Sequence, residues 1–157
     1  MLAQALIRRG LAAAAGSSVI VPVPLGRSRL RGRGYDQSLL LARHLGRELR
    51  RNGQGPAKVV RALRRIREGP SQASLGRAER IRNPRGAFEA ASRRDLIAGA
   101  SVVLVDDVLT TGATAVACIE VLRRIGSAGV IVAVAGRTPA LRTRKLPGST
   151  GGEVEID

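Results

Sequence analysis

SVVLVDDVLTTGATAVACIEVLRRI, residues Ser101–Ile125, is the stretch around which the rest of the chain is read. It opens on four apolar residues, Val102-Val103-Leu104-Val105. An unbroken run rich in β-branched residues predicts a strand buried on both faces of a parallel sheet. Two carboxylates, Asp106 and Asp107, come next, and then a small-residue loop, Leu109-Thr110-Thr111-Gly112-Ala113-Thr114. Beyond it Ala115, Val116, Cys118, Ile119, Leu122 and Ile125 recur at helical spacing. Arg123 and Arg124 occupy the last turn, with Gly126 placed as its C-cap.

Strand, acids, Thr/Gly loop and helix in this order carry a chemical meaning. In open α/β sheets ligands sit beyond the carboxyl ends of the strands. A helix N-terminus there offers free N–H groups and a positive dipole end, which suits phosphate. Two ionised carboxylates would repel a bare phosphate, so they fit better against the hydroxyls of a sugar or a divalent metal between phosphates. The stretch therefore points to a phosphorylated sugar. The plain alternative is that the acids and threonines only turn the chain and cap a helix. No GxxxxGK[ST] occurs, and Gly32-Arg33-Gly34 is no dinucleotide fingerprint, because Gln37 stands where a third glycine belongs.

Outward from this stretch, 157 residues suffice for one domain with a real core. One phenylalanine, one tyrosine and no tryptophan leave that core to Val, Leu, Ile and Ala. A single cysteine, Cys118, excludes an internal disulfide and a Cys-rich zinc site, and its place on the apolar helix face makes it a packing residue. His44, the one histidine, has no cysteine or histidine partner for a metal. The formal charge of +15 favours anionic partners, including nucleotides and nucleic acid. The near absence of aromatics argues against a dedicated single-strand binder. No apolar run is long enough to span a membrane, and the first residues read as a helix rather than a signal peptide, so the expected location is the cytoplasm.

In chain order, residues 1–15 read as a helix and Val19-Ile20-Val21 as a short buried strand, stopped by Pro22-Val23-Pro24-Leu25. Gly26–Gln37, with Arg27, Arg29, Arg31 and Arg33, reads as a flexible cationic loop at the same sheet end as the acids, a second anion site. Asp36 is placed to cap a helix over Ser38–Arg50. Lys58–Leu63 is expected as one short strand. Residues 64–87, polar and broken by Gly69, Pro70, Pro84 and Gly86, read as a lid. Phe88-Glu89-Ala90 are expected to return the chain to the sheet, and Val130–Ala135 to add another buried strand. The expected layout is one domain over residues 1–140 and a loose tail over 141–157.

Two resemblances sharpen this reading. VVLVDDVLTTGAT resembles the phosphoribosyl-pyrophosphate (PRPP) motif of type I phosphoribosyltransferases. VPVPLGRSRLRGRGYDQSLLLARHLG, with Pro22-Val23-Pro24 and Arg31-Gly32-Arg33-Gly34-Tyr35-Asp36-Gln37, resembles the signature of the ComF family of phosphoribosyltransferase-like proteins associated with competence for DNA uptake. Gln72, Leu75, Arg80, Asn83 and Gly86-Ala87-Phe88 are similar to a third block of that family. The resemblance implies a three-layer α/β fold with a mostly parallel central sheet and a flexible loop over the site. It implies that Asp106 and Asp107 meet the ribose hydroxyls, while Thr110, Thr111, Gly112, Ala113 and Thr114 cradle the 5′-phosphate. It assigns Pro22, Val23, Pro24 and Leu25, with Arg33, to pyrophosphate, and Gln72, Arg80 and Asn83 to the closing loop. It also implies Mg²⁺ carried with PRPP and no direct protein metal site. Many members open with a four-cysteine zinc module that is not seen ahead of the Pro-Val-Pro strand.

Three functions are compatible with this sequence. One is a phosphoribosyltransferase acting on PRPP, or another phosphorylated ribose, with an unknown acceptor. Another is a non-catalytic PRPP or nucleotide sensor working with competence-machinery proteins. The last is a basic binder of nucleic acid, including single strands, on the same fold.

Overall fold

The structure, a computed structural model, describes residues 18–53, 58–67 and 86–137. Among these residues six strands form: β1 (Ser18–Pro22), β2 (Lys58–Val59), β3 (Leu63–Arg65), β4 (Phe88–Ala90), β5 (Ser101–Leu109) and β6 (Gly129–Arg137). Three α-helices accompany them among the described residues: α1 (Arg27–Arg33), α2 (Gln37–Arg51) and α3 (Ala113–Arg124). The main sheet is parallel, in the order β2-β1-β5-β6, and β3 and β4 make a separate antiparallel pair.

The apolar run of β5 lies at the centre, between β1 and β6. Its alternate side chains feed two cores. Val103 and Val105 pack with Ile20, Ala133 and the α2 residues Ala42, Leu45 and Leu49. Val102 and Leu104 pack on the other face with Val19, Val21 and the α3 residues Ala115, Cys118, Ile119 and Leu122. Helices on both faces of a parallel sheet give the three layers expected, and explain why β5 has no polar alternation. Full burial of side chains such as Ile20, Leu45, Leu104 and Leu122 contributes about 1.5–3 kcal/mol each. Cys118 is buried, and burial pushes its thiol up to about 12, as suits a packing residue.

Asp36 caps α2 as expected, its Oδ1 accepting from the Leu39 N–H at 3.0 Å. Helix α3 closes at Gly126 (φ 90°): the Gly126 N–H donates to the Arg123 carbonyl and the Ser127 N–H to that of Leu122. This is the Schellman arrangement that a glycine in this place permits.

Four local expectations are corrected. The cationic segment after β1 is not a loop but the exposed helix α1, started at Gly26 and ended by Gly34 in the left-handed region. Lys58–Leu63 is not one strand. β2 pairs with β1, and the chain then leaves the sheet so that β3 can pair with β4. Phe88–Ala90 accordingly joins that pair and not the main sheet. There the Arg65 guanidinium lies 5.3 Å from the Phe88 ring centroid, and Arg64 pairs with Glu89. Finally, β5 runs on through both carboxylates to Leu109, because β6 continues alongside it (Asp106 against Val134, Leu109 against Arg137). The helix expected over residues 1–15, most of the lid over 64–87 and the tail over 141–157 lie outside the described residues. No helix among the described residues is long and apolar enough to cross a membrane.

Candidate sugar-phosphate site at the strand ends

The site's position is set by the connections. From β1 the chain passes through α1 and α2 to β2 on one side, and from β5 through α3 to β6 on the other. Right-handed crossovers in opposite directions demand helices on opposite faces, as found. The strand order therefore reverses between β1 and β5, and a crevice opens outside their carboxyl ends. The segments that leave β1 and β5 both face that crevice.

At the end of β5 stand the acid pair and the Thr/Gly turn. β1 ends at Pro22, opposite Val105, and the Val23 N–H makes the last cross-strand bond to the Val105 carbonyl at 2.9 Å. Past Val105 no further pairing with β1 is formed, and the carboxylates satisfy the backbone instead. The Asp107 N–H donates to Asp106 Oδ1 at 2.9 Å, and the Val108 N–H to Asp107 Oδ1 at 2.8 Å. The Ser38 hydroxyl, from the first turn of α2, donates to the same Asp106 Oδ1 at 3.1 Å. Asp106 is buried and Asp107 half-buried. Burial pushes the Asp106 carboxyl up to about 6; the two hydrogen bonds oppose this, and the neighbouring Asp107 charge adds to it.

Thr110 and Thr111 are exposed, while Gly112, Ala113 and Thr114 are half-buried. Gly112 sits at the N-cap of α3 with φ 73°, a conformation that L side chains rarely adopt. No side chain caps the helix from that residue; the Thr111 hydroxyl instead accepts from the Ala113 N–H at 3.4 Å. The turn thus brings the N-terminal N–H groups of a twelve-residue helix beside the two acids.

After β1, Val23 is buried in the core, and Pro24 and Leu25 are half-buried at the same sheet edge. Arg33, at the end of α1, donates to Gln37 Oε1 at 2.7 Å, which ties it to the first turn of α2. That turn also carries Ser38, so the arginine helix and the acid pair meet at one helix start. Gln72, Arg80 and Asn83 lie outside the described residues. Ser38 is the residue that sequence reasoning missed. Its only signal was its place directly after Gln37 in the Gly-Tyr-Asp-Gln block, where it reads as an ordinary helix start. Among the described residues no group of three or more His, Cys, Asp or Glu side chains could hold a metal ion.

Fold and edge define a class: a parallel α/β protein with acids and a Thr/Gly turn at its topological switch point. The phosphoribosyl transferase domain model matches residues 36–149, and the chain belongs to that family. It is 34% identical over 107 residues to competence protein F of Haemophilus influenzae, covering 68% of this chain and 44% of that protein. It is 38% identical over 114 residues to the DNA utilization protein YhgH of Salmonella typhi, covering 72% and 46%. The chain thus spans under half the length of these curated relatives. The fold is also that of phosphoribosylpyrophosphate synthetase from Mycobacterium smegmatis, with a TM-score of 0.50 at 15% identity over 87% of this chain and 33% of that one.

Proposed function

We propose that this chain binds PRPP with Mg²⁺ at the β1–β5 crevice and transfers its phosphoribosyl group to an acceptor, releasing pyrophosphate. The observation that carries this reading is the pairing, at one sheet edge, of a buried and a half-buried carboxylate with the N-terminus of α3. Asp106 and Asp107 accept from the ribose hydroxyls and fix the ring. The Thr110–Thr114 turn holds the 5′-phosphate through backbone N–H groups and hydroxyls. The Pro22–Leu25 turn, with Arg33 of α1, faces the pyrophosphate, and Gln72, Arg80 and Asn83 belong to the loop that closes over it.

Displacement at the anomeric carbon leaves positive charge on the ring and negative charge on the departing group. Mg²⁺, when bound, neutralises the pyrophosphate. Mg²⁺ commonly binds through substrate phosphates, so the ion would arrive on the ligand. No side-chain nucleophile is needed. The relatives' names favour a role for the reaction in competence and DNA utilization; a place in the cytoplasm alongside competence-machinery proteins belongs to the same proposal.

Calorimetric titration of PRPP, with and without Mg²⁺, tests this reading. Mg²⁺-dependent binding is expected for the wild type and its loss in Asp106→Asn/Asp107→Asn. A wild type that binds no PRPP overturns it.

One observation favours a second reading. Arg29 and Arg31 are exposed on α1, where they suit a phosphate backbone. On that reading DNA binding is steeply salt-dependent, survives the double acid substitution and fails in Arg29→Ala/Arg31→Ala. Absence of DNA binding at low salt would end it.

A further inference from the structure

Asp106 receives two hydrogen bonds, and both land on the same oxygen. The Asp107 N–H and the Ser38 hydroxyl each donate to Oδ1, at 2.9 and 3.1 Å. The first bond is local and comes with the strand. The second reaches across 68 residues, from a buried serine at the start of α2 to a buried acid at the end of β5. Two donors on Oδ1 restrict rotation of the carboxyl group and leave Oδ2 as the oxygen free to accept from elsewhere. A buried hydroxyl that served only to start a helix would be better used at the N-cap; here Asp36 fills that role, which frees Ser38 for Asp106.

We propose that Ser38 is a positioning residue of the sugar site, aligning Asp106 so that Oδ2 accepts from a ribose hydroxyl. This rests on the reading of the crevice as a phosphoribosyl site. It also joins the two halves of the site. Gln37 holds Arg33 of the arginine helix while the next residue, Ser38, holds the acid, so one helical turn sets the distance between cation and carboxylate.

Among the described residues, the groups that act on Asp106 are Asp107 on its own strand and Ser38 from α2; the Asp106 charge in turn reaches the buried Cys118 thiol of α3, which also feels Arg65 of β3. The Ser38 bond is one of those holding the carboxyl down against burial. Removing it leaves the same charge with one donor fewer.

Ser38→Ala and the conservative Ser38→Thr separate alignment from packing. Carboxyl-carbon NMR of Asp106 in the ligand-free protein is one readout. Calorimetry with Mg²⁺ and PRPP is the other. The expected result is a higher Asp106 pKa in Ser38→Ala, about tenfold weaker PRPP binding, and recovery of both in Ser38→Thr. An Asp106 titration unchanged by Ser38→Ala overturns the proposal, as does PRPP affinity unchanged in a folded Ser38→Ala protein. Equal loss in the threonine variant also overturns it, because the serine would then act by size alone. If wild type binds no PRPP, the phosphoribosyl reading fails, and with it the ligand-facing role of Oδ2. The Asp106 titration then still decides whether Ser38 governs the carboxyl.

Discussion

Folding moves the Asp106 carboxyl from water to a buried place beside a second carboxylate, and raises its pKa from 3.8 to about 6. The folded state therefore holds that proton more tightly than the unfolded chain does. Well below pH 3.8 both states are protonated and the position costs nothing. The cost grows from the unfolded pKa up to about pH 6 and is complete above that. An asparagine keeps an oxygen to accept from Ser38 and the Asp107 N–H but carries no charge. Asp106→Asn should therefore stabilise the ligand-free protein by about 2 kcal/mol near pH 7.5, a gain that is mostly lost near pH 4. Urea unfolding at the two pH values checks this, and a destabilised variant at pH 7.5 would contradict it. On the proposed function that folding cost is offset when a ribose hydroxyl donates to the carboxylate. Two adjacent acids after an apolar run were legible in the sequence. The burial of one and not the other was not, because it depends on where β1 stops and on a serine 68 positions away.

At the scale of elements, the turn between β5 and α3 depends on one glycine. At φ 73° a Cβ on residue 112 would meet no heavy atom within 4 Å, so the strain of a substitution is purely in the backbone. Gly112→Ala should lower stability by about 1–2 kcal/mol and weaken phosphate binding further, by tilting the first N–H groups of the helix. Thermal unfolding and a phosphate titration of the same variant separate the two effects. The elements with strong period were readable in advance. The apolar run of β5, the face of α2 with Asp36 before it, and α3 with Gly126 after it each carry local signals that agree with their packing. The others lacked such agreement. α1 has a lone Leu30 among arginines and a glycine inside it, so no apolar stripe announces it, although arginine is itself a good helix former. Asp106 and Asp107 are poor strand formers, and only the neighbouring β6 keeps them extended. Lys58–Leu63 looks uniform in sequence; its division between two sheets is set by Phe88–Ala90, a partner distant along the chain.

The whole molecule carries a formal charge of +15 on 157 residues, and pairs such as Arg51–Glu48 lie at its surface. Self-repulsion on this scale opposes compaction. Raising ionic strength from 0.1 to 1 M shortens the screening length from about 10 Å to about 3 Å, so the melting temperature should rise with sodium chloride. On the proposed function it should rise more with phosphate at equal ionic strength, because phosphate would also bind in the crevice. Differential scanning calorimetry in the two salts checks this; equal shifts would mean screening alone. The same composition that concentrates charge also removes chromophores. There is no tryptophan, and the one tyrosine, Tyr35, is half-exposed between Gly34, where α1 ends, and Asp36, where α2 is capped. All the tyrosine emission of this chain thus arises at the junction between the arginine helix and the turn that bears Ser38. Its intensity, quenching and anisotropy speak for that one joint, with no average over the rest of the protein to subtract.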